Sequence, residues 1–156
     1  EVARGAGRKV AFTLSESVCM PDRREGMLRV IQEGSVDLLF ANEHEVQQLT
    51  GSEDRSEAIA MLSARVPTLV ITRGAQGALG LENGQGVEVP AAPVAKVVDT
   101  TGAGDLFAAG FLVGETRGLG LEKSLKLGAI AAAEVIQHYG ARPEADLKAL
   151  VAATPG

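Results

Sequence analysis

Apolar positions along the chain fall into two periods. Short apolar runs at Lys9–Leu14 (KVAFTL), Val36–Ala41 (VDLLFA) and Thr68–Gly74 (TLVITRG) have the length and β-branched content of buried strands. Between them apolar residues recur near helical spacing: Met27, Leu28, Val30 and Ile31 in a stretch near Glu25–Glu33 that Gly34 would stop, then ANEHEVQQLTG ending at Gly51, then Ser56–Val66. Strand, helix, strand, helix, strand is the order that right-handed crossovers turn into a doubly wound, mostly parallel sheet. The rhythm then breaks. ALGLENGQGVEVP carries Asn83-Gly84 between two alternating runs, which predicts a β-hairpin at one edge. VAKVVDT predicts a further strand, and Ala103–Thr116, Leu121–Tyr139 and Glu144–Ala152 predict three helices separated by Gly118-Leu119-Gly120 and by GARP. No repeat, low-complexity tract or linker interrupts the pattern, so residues 1–156 are read as one α/β domain.

Composition narrows the class of partner. With 156 residues, 46% of them hydrophobic and 22% charged, the chain can bury a substantial core. A net charge of −5 and an isoelectric point near 5.1 supply no general attraction to nucleic acid or to an anionic membrane. No apolar run is long enough to span a bilayer and EVARGAGRKVAF lacks the apolar core of a signal peptide, so a cytoplasmic protein is expected. Cys19 alone makes no internal disulfide, and His44 and His138 lie far apart in sequence; all three are read as structural or exposed. Aromatic residues at 3% argue against a base-stacking platform, while abundant Gly, Ala, Val and Leu suit helices packed closely on a sheet.

The candidate chemistry lies in VDTTGAGDLF at Val98–Phe107. If a strand ends at Asp99 and a helix begins near Ala103, then Gly102 and Gly104 sit where backbone N–H groups lack helical partners and the helix dipole favours negative charge. The pattern is not a P-loop: the nearest approach, Gly120-Leu121-Glu122-Lys123-Ser124, has Glu122 where the final glycine belongs. Nor is it a dinucleotide fingerprint, since the position three after Gly104 is Phe107. A phosphate cradle without a lysine needs its counter-charge from Mg²⁺ or an arginine. Asp105 adds repulsion where phosphate would lie, which makes chemical sense if the same loop orients an attacking hydroxyl. Equally, an acidic residue in a first helical turn complements the dipole, and the glycines allow tight packing. Asn42-Glu43-His44-Glu45 and Thr72-Arg73-Gly74-Ala75-Gln76-Gly77 follow two of the strands, and in an open α/β sheet ligands gather beyond the carboxyl ends of strands. All three segments are therefore expected at one crevice. Asn42 and Glu45 also spell a helix capping box, and Gly74 and Gly77 an ordinary tight turn.

DTTGAGD at Asp99–Asp105 resembles, at all seven positions, the C-terminal signature of the PfkB/ribokinase family of carbohydrate and nucleoside kinases. NEHE at Asn42–Glu45 is similar to that family's NxxE motif, and TRGAQG at Thr72–Gly77 resembles its nucleotide-binding turn. The resemblance implies a ribokinase-like fold and ATP-dependent transfer of the γ-phosphate to a hydroxyl of a nucleoside or sugar. By that resemblance Asp105 is the base that orients the hydroxyl, and the backbone of Gly102, Ala103 and Gly104 forms the anion hole. Asn42 and Glu45 act on Mg²⁺ and phosphate through water, while Thr72, Gly74, Gly77 and Thr101 line the nucleotide. Arg73 either helps neutralise phosphate or stands exposed. Asp99 is implied as a ligand for a monovalent cation, with K⁺ the candidate ion. The stretches from Phe12 to Leu49 and from Leu127 to Glu144 look like bacterial adenosine-kinase-type members, which makes adenosine or a related ribosyl acceptor the expected substrate and a sugar the next. Ala129 stands where some sugar kinases have a polar residue near the adenine, leaving base selectivity open. Family members are longer, and the match is to their C-terminal portion. The N-terminal portion, with the lid and most acceptor contacts, is thus expected to be missing, and the sheet edge it leaves is expected to favour a homo-oligomer or a partner segment. The alternative is a nucleotide-binding fragment or subunit with no catalytic activity of its own, because closure that excludes water depends on the lid.

Overall fold

The computed structural model describes residues 2–15 and 21–153; Cys19 lies outside the described residues. The chain divides into two compact units, Glu1–Arg73 with Gly80–Gly86, and Gly74–Leu79 with Val87–Gly156.

In the first unit a short helix α1 (Val2–Gly5) precedes β1 (Ala11–Thr13), α2 (Pro21–Gln32), β2 (Leu38–Asn42), α3 (Glu43–Thr50), α4 (Arg55–Ser63) and β3 (Thr68–Thr72). The three strands pair in parallel, with Ala11 opposite Leu38, Leu38 opposite Thr68 and Asn42 opposite Thr72. Leu38 to Ala41 and Leu69 to Ile71 are buried without alternation, the pattern of strands covered on both faces. Val46 and Leu49 of α3 and Ala58 and Leu62 of α4 complete this core. Helix α4 opens at Asp54, whose side chain accepts from the Glu57 N–H at 2.9 Å.

Beyond β3 a 3-10 turn (Gly74–Gln76) leads into β4 (Ala78–Glu82) and β5 (Gln85–Val89), giving a five-stranded sheet in the order β1-β2-β3-β4-β5. Asn83 and Gly84 have φ of 50° and 81°, the two positive values of the type I′ turn that an Asn-Gly pair specifies. A two-residue loop obliges β4 and β5 to run antiparallel, so the sheet is mixed. At the other edge Ala11–Thr13 are all exposed. Phe12, 39% exposed, borders an open apolar groove of about 420 Å³ with Met27, Val30, Ile31 and Val36.

The second unit is organised around α5 (Ala103–Thr116) and α6 (Leu121–Val135), followed by α7 (Leu147–Ala153). Glycines let the first two approach closely. A Cβ on Gly110 would lie 2.5 Å from the Leu127 carbonyl oxygen, and one on Gly128 would lie 2.8 Å from that of Phe107. Phe107, Phe111, Leu125, Ala129 and Val135 are buried in this unit.

Three sequence expectations are corrected. VAKVVDT forms no strand: the N–H groups of Val98 and Asp99 both point at the Ile136 carbonyl, at 2.8 and 3.4 Å, and Ala95 N–H bonds the Gln137 side chain at 3.0 Å. These bonds tie the segment to the end of α6 in place of a ladder. Helix α6 stops at Val135, short of Tyr139, because its last turn tightens and the Gln137 side-chain amide caps the Ala133 carbonyl at 2.9 Å. The last helix starts at Leu147, not Glu144, because the N–H groups of Glu144 and Ala145 are taken by the Glu134 carboxylate, while Asp146 accepts from Lys148 N–H at 2.9 Å. No helix among the described residues is long and apolar enough to cross a membrane.

Candidate active site

In the first unit, parallel pairing brings two of the sequence-predicted segments together. Asn42 ends β2 directly opposite Thr72 at the end of β3, so both segments leave the sheet at its carboxyl side by side. Asn42 is the N-cap of α3. Its Oδ1 accepts from Glu45 N–H at 2.8 Å and Glu45 Oε2 accepts from Asn42 N–H at 2.9 Å, a complete capping box. That box engages one oxygen of each side chain and leaves Asn42 Nδ2 and Glu45 Oε1 outside it. Glu43, between them, pairs with Arg55 at 3.1 Å. Thr72 and Arg73 are half-buried.

The sequence-predicted nucleotide turn continues in the second unit. Gly74 has φ of 56° and Gly77 of 89°, and Gly77 N–H closes the turn onto Gly74 O at 3.1 Å. A Cβ on Gly77 would fall 2.0 Å from the Val89 carbonyl oxygen, so backbone packing alone demands glycine there. Ala75 and Gln76 are exposed at the tip.

The Asp99–Asp105 stretch is a built loop. Asp99 Oδ1 accepts from both the N–H (2.9 Å) and the hydroxyl (2.7 Å) of Thr101, and Oδ2 accepts from Gly140 N–H at 3.1 Å. The Thr101 hydroxyl first, then the Thr101 and Gly140 N–H groups, hold the Asp99 carboxyl below its ordinary value of 3.8, against the opposing effect of burial. Gly102 is the N-cap of α5 with φ of 80°, and a Cβ on it would lie 2.6 Å from that of Ala141. No side chain caps this helix. Ala103 N–H turns back to Thr100 O at 3.1 Å and the first intrahelical bond runs from Leu106 N–H to Gly102 O. The N–H groups of Gly104 and Asp105 therefore have no backbone acceptor among the described residues and face out of the helix terminus, a donor pair with the positive end of the dipole behind it. The Asp105 carboxylate, one turn in, is exposed and makes no hydrogen bond or ion pair among the described residues.

The structure adds a cluster that motif spacing did not single out. Glu134, in the last turn of α6, is 8% exposed; its Oε1 accepts from the N–H groups of Glu144 and Ala145, each at 2.8 Å, and stands 3.2 Å from Nε2 of His138. His138, read from sequence as structural or exposed, is thus held in a carboxylate pair, with Glu144 3.8 Å from its Nδ1. The signal was a lone Glu inside AAAEVI, an apolar run where a charge has no solvent face.

Residues 7–147 match the pfkB family carbohydrate kinase model. The chain is 40% identical over 121 residues to a cytidine kinase of Thermococcus kodakarensis, covering 76% of this chain and 43% of that protein. It superposes on the crystal structure of adenosine kinase from Sinorhizobium meliloti with a TM-score of 0.91 and 40% identity, over 95% of this chain and 45% of that one. On an Arabidopsis thaliana ribokinase complexed with ribose and ATP it gives a TM-score of 0.79 at 30% identity, covering 95% and 48%. The chain thus spans a little under half the length of these relatives.

Proposed function

The chain belongs to the pfkB family of carbohydrate kinases, and from that premise we propose that it carries the nucleotide-binding and phosphoryl-transfer residues of an ATP-dependent nucleoside or sugar kinase. The observation that carries the proposal is the N-terminus of α5, where two outward N–H donors, an N-cap glycine with left-handed φ and an unpartnered carboxylate occur within four residues. A phosphate cradle needs the first two features and has no use for the third; a loop that also aims a hydroxyl at phosphorus needs all of them.

In this proposal Asp105 takes the proton of the attacking hydroxyl, and Gly102, Ala103 and Gly104 bring backbone close to the transferring group. Because Ala103 N–H is engaged by Thr100, the donated hydrogen bonds come from Gly104 and Asp105. Thr72, Arg73, Gly74, Gly77 and Thr101 border the nucleotide. The residues fit a hydrated Mg²⁺ on phosphate: outside the capping box Glu45 Oε1 can accept from a metal-bound water, and Asn42 Nδ2 can donate to a phosphate oxygen. Mg²⁺ would supply charge neutralisation on the phosphates. Asp99, with both oxygens accepting, is proposed beside a monovalent cation such as K⁺. Adenosine or a related ribosyl acceptor is the first choice of substrate, supported by the 40% identity to the adenosine kinase; a free sugar is the second.

The test is Asp105→Asn in the full-length protein, assayed with Mg-ATP against adenosine, cytidine and ribose. Turnover is expected to fall by about 10² to 10⁴-fold with the ATP dissociation constant within about twofold of wild type. Undiminished turnover overturns the role of Asp105.

A further inference from the structure

Glu134 is costly where it stands. A carboxylate in the apolar run Ala131–Ile136 is buried here, at the C-terminal end of a helix where the dipole disfavours negative charge, and its Oε2 is buried with no hydrogen-bond partner among the described residues. Helix stability alone would be better served by alanine or leucine at this position. What the side chain holds is the segment that follows the helix: Oε1 takes the N–H groups of Glu144 and Ala145 and faces His138, so both ends of the 138–145 loop close on one oxygen.

The middle of that loop lies against the α5 terminus. Gly140 N–H binds Asp99 Oδ2, and the methyl group of Ala141 occupies the space beside Gly102 where a Cβ would otherwise project. One end of the chain of contacts is therefore a buried carboxylate and the other is the N-cap whose outward N–H groups form the anion site. We infer that Glu134 is a positioning residue: through the 138–145 loop it sets the placement of Asp99, Gly102 and the first-turn donors of α5. This deepens the phosphoryl-transfer proposal and rests on it.

Three forms of the full-length protein are compared by amide hydrogen–deuterium exchange and by steady-state kinetics: wild type, Glu134→Gln, which keeps volume and an accepting oxygen, and Glu134→Ala, which keeps neither. In Glu134→Ala, exchange is expected to quicken by about tenfold or more at Gly140, Glu144 and Ala145 and also across Thr101–Asp105, a stretch Glu134 does not touch. Its kcat is expected to fall by about 10 to 100-fold, with KM for Mg-ATP changed by less than about threefold and Glu134→Gln regaining most of the loss. A kcat within about twofold of wild type in Glu134→Ala, quickened exchange confined to 138–145, or a Gln variant no better than Ala overturns the inference. If Glu134→Ala does not fold, Ala141→Gly decides: it removes the methyl group beside Gly102 and leaves the anchor intact. Quickened exchange at Thr101–Asp105 with a lowered kcat is then expected, and wild-type values overturn the inference. A wild-type protein that phosphorylates no nucleoside or sugar would sink the kinase proposal, while the exchange comparison would still decide on Glu134.

Discussion

Gly104 is glycine without a packing reason. A Cβ there would meet nothing within 4 Å, and its backbone is ordinary first-turn helix, whereas Gly102 two residues earlier is demanded both by its φ of 80° and by Ala141. The sequence alone left two accounts of this pair standing, close packing and close approach of a ligand. Packing accounts for Gly102 and not for Gly104, which the phosphoryl-transfer proposal assigns to the ligand. Gly104→Ala in the full-length kinase is therefore expected to keep or raise Tm, because alanine is the better helix former by up to about 1 kcal/mol. If the proposed anion site holds the phosphate, it should also lower kcat/KM for Mg-ATP by about tenfold or more, since a methyl group then stands beside the outward N–H groups. A variant as active as wild type would return Gly104 to the fold. The Asn42–Glu45 pair shows the opposite case, in which two accounts coexist: the capping box is present in full, and a polar atom of each side chain is left over for a second task.

At the scale of elements, what was legible depended on whether the determinant was local. β2 and β3 were visible because apolar runs buried on both faces have no other home, and the hairpin was visible because Asn83 and Gly84 fix their own φ values. VAKVVDT misled for the complementary reason: Val94, Val97 and Val98 have strand composition, but the bonds that decide its fate come from Ile136 and Gln137, some forty residues on. The run AAAEVI marked Glu134 as a buried charge, but its partners were illegible on the same grounds, since nothing near it in sequence announces the N–H groups it serves. The α5–α6 contact is a further non-local determinant, and its glycines make it testable. Gly110→Ala gains helix propensity, yet its methyl group meets Leu127 O at 2.5 Å and Gly128 Cα at 2.9 Å, backbone atoms that cannot swing aside. A net loss of about 1–3 kcal/mol is expected in denaturant unfolding, and a neutral result would mean the helices are not held at this separation. The end of α6 gives a second test. Burial lowers the pKa of His138, but the bond to Tyr139 O, the bond to Glu134 and the charges of Glu144 and Glu134 outweigh it, so the net shift is upward from 6.5. The native state then favours the imidazolium. Its contribution is complete below the unfolded value and disappears as pH rises through the raised native one. With Glu134, Glu144 and Asp99 as the carboxylates around it, the Tm difference between wild type and His138→Gln should be larger at about pH 5.5 than at about pH 8.5; a difference that grows with pH would exclude the imidazolium.

For the molecule as a whole, the question is how much of the kinase is carried by a chain that spans 45% of the adenosine kinase it superposes on. Two functions separate here. Nucleotide binding as proposed draws on strand ends, a glycine turn and a helix terminus, each of which this chain folds within one or other of its compact units. Phosphoryl transfer without hydrolysis also needs water to be excluded from the reacting groups, which local motifs do not provide. The 156-residue chain is therefore expected to bind Mg-ATP saturably in a calorimetric titration and to transfer little phosphate unaided. The informative variant is Glu45→Gln, because glutamine serves the capping box as glutamate does, so α3 keeps its N-terminus and Tm should hold while the charge proposed to act on the metal is lost. Binding weakened by about threefold to tenfold, with Tm unchanged, would make Glu45 a participant in Mg²⁺ binding beyond its cap. Equal affinity would confine Glu45 to the cap and move the metal's support elsewhere. Absence of binding by the folded wild-type chain would mean that the nucleotide site is not complete within these residues, because preformed local donors would then be insufficient without the rest of the enzyme.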